Sequence, residues 1–138
     1  MESINHFKIS AILSPVAVAT IFGTQNLLSF GILAIYGLAL GVLIDLDHFL
    51  WARYNHGHWN HLRDALKAPR TTMEENAEIM DGALGEAQRY SSHFVIMVLA
   101  TGIAYFGGAN LAALTLIMLV SHILTDLYAS YRDDELPI

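Results

Sequence analysis

The 138-residue sequence contains no cysteine. That excludes a disulfide framework, a cysteine-ligated zinc site and a thiol nucleophile. Charge is scarce as well: 14% of residues are Asp, Glu, Lys or Arg, against 54% apolar. Soluble domains rarely carry so little charge, whereas membrane proteins ordinarily do. Lysine and arginine form no cluster, so the sequence lacks the electrostatic footprint of a nucleic-acid binder and no nucleic-acid partner is expected. The formal net charge of −6 says little about partners, because the acids are unevenly spread.

Ile9 to Ile44 and Tyr90 to Thr125 are stretches of 36 residues, each without a single charged side chain. All 20 charged residues lie outside them. A helix crosses the hydrocarbon core in about 20 apolar residues. Each stretch is therefore too long for one span and suited to a hairpin of two short ones. Turn-like clusters divide them, Gly23-Thr24-Gln25-Asn26 and Gly107-Gly108-Ala109-Asn110. The pattern predicts helices over 7–22, 27–44, 93–106 and 111–128, with Pro15 kinking the first. Gly31, Gly37, Gly41 and Gly102 would let helices approach closely in lipid.

The expected fold is all-α: a four-helix transmembrane bundle of two hairpins, 7–44 and 93–128. It forms a single domain over 1–138, with a polar, partly helical insertion at 49–89. The competing reading of such short apolar runs is a soluble helical core. Lys8, the apolar residues after it and Ala17-Val18-Ala19 have features of a secretory signal. The apolar part is short, and the first helix is expected to be retained.

Within the insertion, Trp51, Tyr54 and Trp59 suit the headgroup level of a bilayer. Thr72-Met73-Glu74-Glu75 reads as a capping box opening a helix. Met73, Ala77, Met80, Leu84 and Ala87 would give that helix one apolar face, lying on the membrane or serving as a connector.

Two hairpins place both termini and the insertion on one side and the glycine turns on the other. All seven basic residues (Lys8, Arg53, Arg63, Lys67, Arg70, Arg89 and Arg132) fall on the first side. The positive-inside rule makes that side cytoplasmic. The same topology gathers histidine and aspartate. His6 precedes the first helix, Asp45, Asp47 and His48 end the second, His93 starts the third, and His122 and Asp126 lie near the end of the fourth.

His122 and Asp126 are one helical turn apart on one face, a common way to offer two ligands to one ion. Asp45 and His48 share a face; Asp47 joins them only if the helix ends there. Ionisable groups beside membrane spans are costly and tend to be functional. The rival reading of each is a polar anchor or helix cap, or for Asp45 and Asp47 a partner of Arg53. Mixed imidazole and carboxylate ligation suits Zn²⁺, with Mn²⁺ or Fe²⁺ as alternatives. The residues His6, Asp45, Asp47, His48, His93, His122 and Asp126 are the candidate ligands, for one to three ions. Asp47 is also a candidate general base, and Arg89 a candidate phosphate-binding group. His56, His58 and His61 form a separate imidazole-rich segment, read either as an interfacial loop or as an additional ion, proton-donor or headgroup site.

The ordered motifs resemble the YdjM-type family of inner-membrane metal-dependent hydrolases over nearly the whole chain. His6 matches an early histidine, and Ile44-Asp45-Leu46-Asp47-His48 matches a Pro-Asp-x-Asp-His motif with Ile44 in place of proline. Arg89, Ser92 and His93 fit a His-Arg-Gly-x-Thr-His-Ser motif in which Gln88 and Tyr90 depart from the pattern. His122-Ile123-Leu124-Thr125-Asp126 matches a His-x-x-x-Asp motif. The family is distantly similar to zinc-dependent phospholipase C and the P1-type nucleases. The resemblance thus implies phosphoester hydrolysis by metal-activated water, on a lipid or lipid-linked substrate in the bilayer. Its rivals are a non-catalytic metal-binding or metal-transporting membrane protein, and a small structural membrane protein that binds no metal.

Overall fold

A computed structural model describes residues 3–23, 26–68 and 85–135. The described residues are helical, with no strand among them. In chain order the helices are α1 (Ser3–Phe22), α2 (Leu27–Leu43), a 3-10 turn (Ile44–Leu46), α3 (Asp47–His56), α4 (Asn60–Lys67), α5 (Glu86–Tyr105) and α6 (Ala109–Glu135). The all-α bundle of two hairpins is therefore present. α1 packs on α2, α5 packs on α6, and α6 also touches α1 and α2.

Both hairpins turn where the sequence loses its apolar periodicity. Asn26 caps α2, its side-chain oxygen accepting the backbone N–H of Ser29 at 2.9 Å, which satisfies one of the orphan donors of the first turn. Between α5 and α6, Gly108 takes φ +119°, a conformation that side-chain-bearing residues rarely adopt. α1 runs helically through Pro15.

The helix boundaries differ from those read off the apolar runs. α5 begins at Glu86, not near His93, and α6 continues to Glu135. Apolarity marks the part of a helix that can face lipid, and a helix can continue past it in polar residues. Ile4–Phe22, Leu27–His56 and Ala109–Arg132 are long and apolar enough to cross a membrane. α5 has the length, but its first two turns, Glu86 to His93, are polar. The expected capping box and apolar stripe over 72–87 lie, apart from Ala87, outside the described residues.

Burial is inverted relative to a water-soluble bundle. Ile12, Leu28, Ile35, Ile103 and Phe106 are exposed on the outside, while His6, Ser10, Ser14, His93, Thr115, His122 and Asp126 are buried. A soluble protein seldom exposes so much apolar surface; in lipid that surface is already solvated. The interior has two halves. Near the glycine turns, Ala17, Val18, Leu114 and Met118 form an apolar core with Leu33 and Leu40 packed against it. A polar contact from α2 to α6 adjoins that core. Thr115 donates its hydroxyl to the Leu111 carbonyl, so Tyr36 donates to Thr115 Oγ1, at 2.7 Å. The opposite half holds the His/Asp residues.

Small residues set the spacing of α1 and α2. A Cβ added at Gly37 would collide with Ser14 Oγ, and one at Gly41 with Ser10 Oγ. Ser14 also donates to the Ala34 carbonyl at 2.7 Å. These contacts let the α1 backbone come close enough for its histidine to reach the far side of the bundle. Gly37→Ala and Gly41→Ala are expected to destabilise by about 1–3 kcal/mol through overpacking. Gly31→Ala and Gly102→Ala, where a Cβ meets open space, should be neutral or stabilising by up to about 1 kcal/mol from helix propensity. Thermal unfolding in detergent, followed by circular dichroism, separates the two pairs.

Candidate metal centre

Four-residue spacing builds the site. On α6, Met118, His122 and Asp126 follow one another on the buried face, and on α1 so do His6, Ser10 and Ser14. His93 lies two turns inside α5 rather than at its start, and it is fully buried. The remaining groups come from the junction of α2 and α3. There the α-helix stops at Leu43, one 3-10 turn covers Ile44–Leu46, and α3 begins at Asp47. A 3-10 turn brings residues i and i+3 into register, which aligns Asp45 with His48. Asp47, which an unbroken α-helix would have pointed away, is buried beside them.

All seven sequence-nominated ligand candidates therefore meet at one end of the bundle. Asp45, His93, His122 and Asp126 each present one ligand atom, all within 4.8 Å of one another. His122 Nε2 lies 3.2 Å from Asp45 Oδ1 and 3.5 Å from Asp126 Oδ2. His93 Nε2 lies 3.4 Å and 3.7 Å from the same two oxygens. These are four of the six edges of a tetrahedron. Ligands at about 2.0–2.1 Å from a tetrahedral ion are about 3.3 Å apart.

Hydrogen-bond geometry separates this arrangement from a simple ion-pair network. Protonated imidazoles paired with carboxylates form short, aligned charge-assisted bonds of about 2.7–2.9 Å. Here neither His93 Nε2 nor His122 Nε2 makes a hydrogen bond among the described residues, although both are buried. The other nitrogen of His122 is engaged. His122 Nδ1 donates to the Gly41 carbonyl at 2.9 Å, which turns the Nε2 lone pair toward the two carboxylates. Backing a histidine by a carbonyl in this way is the usual outer-shell support of a metal ligand. His93 Nδ1 lies 3.3 Å from Asp47 Oδ2 without a hydrogen bond between them. The donor set thus fits a divalent cation, which would also compensate buried carboxylates that are costly to desolvate.

The other nominated residues occupy the margin. His6 stacks on His122, with ring centroids 3.8 Å apart, and its Nε2 contacts Asp126 Oδ1 at 3.0 Å. It is placed to orient a ligand rather than to be one of the four. His48 stacks on His93 at 5.1 Å, and with Asp47 and His93 it makes a second group that could hold an ion. Because His93 belongs to both groups, filling both would need both of its ring nitrogens. Arg89, one turn before His93, donates to Tyr90 Oη at 3.0 Å and Ser130 Oγ at 3.1 Å. Arg53 lies over the Trp59 ring, 5.8 Å from its centroid.

Sequence reading did not nominate Gly41 as the acceptor for His122, nor Asn55, whose amide pairs with Gln88 at 3.0 Å. The first had no signal beyond a glycine in an apolar helix. The second could have been sought where Gln88 departs from the expected histidine.

Purified protein is expected to carry a divalent transition metal that His122→Ala or Asp126→Ala removes, as read by elemental mass spectrometry. His6→Ala, which takes away only outer-shell support, should weaken binding about 10–100-fold in a competition titration. Protons compete with the metal for imidazole and carboxylate, so affinity should fall as pH is lowered. No protein-family model, curated protein or solved structure matches the chain, so the centre is defined by this geometry alone.

Proposed function

We propose that this protein is a membrane-embedded, metal-dependent hydrolase that cleaves a phosphoester carried on a lipid or lipid-linked substrate. One observation carries the reading. A cleft of about 660 Å³ between α3 and α5, lined by Leu50, Trp51, Ser92 and Val95, meets the cluster at Asp47, its one charged lining residue. Such a cleft is a largely apolar groove with a carboxylate in its wall, the form expected of a site for an amphiphile.

A bound ion, Zn²⁺ being the one this donor set suits best, would supply Lewis acidity and lower the pKa of water. The protein's own groups take the remaining roles. Asp45, His93, His122 and Asp126 would hold the ion. Asp47, 3.3 Å from His93 Nδ1 and the charged residue of the cleft lining, would orient water and accept its proton. Arg89, with its hydroxyl partners Tyr90 and Ser130, is one turn farther out, where it could meet a phosphate oxygen. The apolar exterior and the three span-length helices support a lipid setting. The basic residues, read by the positive-inside rule, support a cytoplasmic position for the cluster. The motif resemblance to the YdjM-type family points to the same chemistry.

A second reading, a non-catalytic metal-binding protein, draws on a different observation: four buried ligand atoms can saturate a tetrahedral ion. Turnover of a metal-loaded sample decides between them. Asp47→Asn retains an oxygen for His93, so it should keep most bound metal at saturating concentration. Its hydrolysis of a phosphodiester such as bis(p-nitrophenyl) phosphate, or of a phospholipid in mixed micelles, should fall about 10²–10⁴-fold. Metal-replete wild-type protein with no activity on either substrate class would favour the non-catalytic reading.

A further inference from the structure

The segment after α3 carries three histidines that the buried cluster does not use. α3 ends at His56, and Gly57 closes it in the left-handed conformation, φ +77°, donating its N–H to the Arg53 carbonyl at 2.9 Å. That reversal sends the chain through His58 and Trp59 into α4, whose second residue is His61. The three imidazoles are consequently neighbours. Their ring centroids are 5.9 Å apart for His56 and His58, 5.4 Å for His56 and His61, and 5.8 Å for His58 and His61. Three imidazoles that share one ion at about 2.0–2.1 Å per nitrogen have centroids roughly 5.2–5.5 Å apart.

We propose that His56, His58 and His61 form a second, exchangeable site for a divalent transition-metal ion, and that this site loads the buried cluster. The rings meet as stacked and tilted pairs whose nitrogens do not yet converge on one point, so the site would form by rotation of side chains that are exposed (His56, His58) or half-buried (His61). An all-imidazole set selects zinc, copper or nickel over magnesium or calcium. The triad contributes no carboxylate, and the Arg53 guanidinium is close by, 4.0 Å from where a Gly57 Cβ would stand. Its affinity is therefore lower than that of a buried site with two carboxylates, and an ion passes downhill from one to the other. α3 links them directly: Asp47 begins the helix and His56 ends it, a rise of roughly 14 Å at 1.5 Å per residue. The loading role rests on the metal-binding reading of the buried cluster; the binding role does not.

The test is a Zn²⁺ titration of untagged, chelator-stripped full-length protein against a chromophoric competitor, with Co²⁺ absorption as a second readout. Wild-type protein is expected to take one tight equivalent and one weaker one. The His56→Ala/His58→Ala/His61→Ala variant should lose only the weaker equivalent and fill the tight site several-fold more slowly. The His122→Ala/Asp126→Ala variant should lose only the tight one. A triad variant that binds as many equivalents as wild type, or that loads at the wild-type rate, overturns the proposal. Wild-type protein with a tight equivalent alone sinks it while leaving the buried centre intact. A weak equivalent alone removes the buried centre, and with it the loading role.

Discussion

Carboxylates buried among imidazoles at one end of a low-dielectric bundle constrain everything around them. Asp45, Asp47 and Asp126 come from two separate parts of the chain and are all nearly sealed from solvent. Each ionised group removed from water costs several kcal/mol even after relaxation, unless counter-charge is held close to it. Every surrounding element sets an imidazole around the point where a cation would supply that counter-charge: α1 brings His6, α5 brings His93, and α6 brings His122. The close approach of α1 and α2 serves the same end. Without the notch of Gly37 and Gly41 for Ser14 and Ser10, the α1 backbone would stand farther from α2 and carry His6 away from the cluster.

The hairpins were legible because a charge on a lipid-facing helix is expensive, so the two charge-free stretches mark the two helical pairs, though not the helix ends. The cluster's membership was legible for a related reason: the few His and Asp residues within or beside those stretches all fall at one end of an up-down bundle. What stayed hidden was local. Nothing in Ile44-Asp45-Leu46 carries the glycine, proline or asparagine that advertises a break, so the 3-10 turn that brings the nominated Asp47 inward was not readable. The early start of α5 was missed because its first turns are polar. They are held by the Asn55–Gln88 amide pair and the Arg89–Tyr90–Ser130 contacts, which are tertiary rather than local. The roles of His6 and Gly41 depend on ångström-level distances between helices, which no periodicity encodes.

The two halves of the interior divide the work of folding. The apolar half, around Val18, Leu114 and Met118, packs by dispersion and by shape. In a lipid solvent such packing gains little from burial alone, since the tails outside are equally apolar. Direction and specificity must come from polar contacts. The Tyr36–Thr115 hydrogen bond and the cluster itself are the places where one partner cannot be exchanged for another at small cost.

The four-residue stripes carry one more consequence. His6, Ser10 and Ser14 on α1, Gly37 and Gly41 on α2, and Leu114, Met118, His122 and Asp126 on α6 all repeat at the same interval. A slide of one such step between α1 and α2, about 6 Å along the axis at 1.5 Å per residue, would keep one serine–glycine contact and spoil the other, setting Ser14 against Leu33 in one direction or Ser10 against Asp45 in the other. The ladder is thus a short ruler that permits one register. The contact between His6 and Asp126 marks the same register at the end of the bundle, so a slipped arrangement is penalised twice, once in packing and once at the cluster.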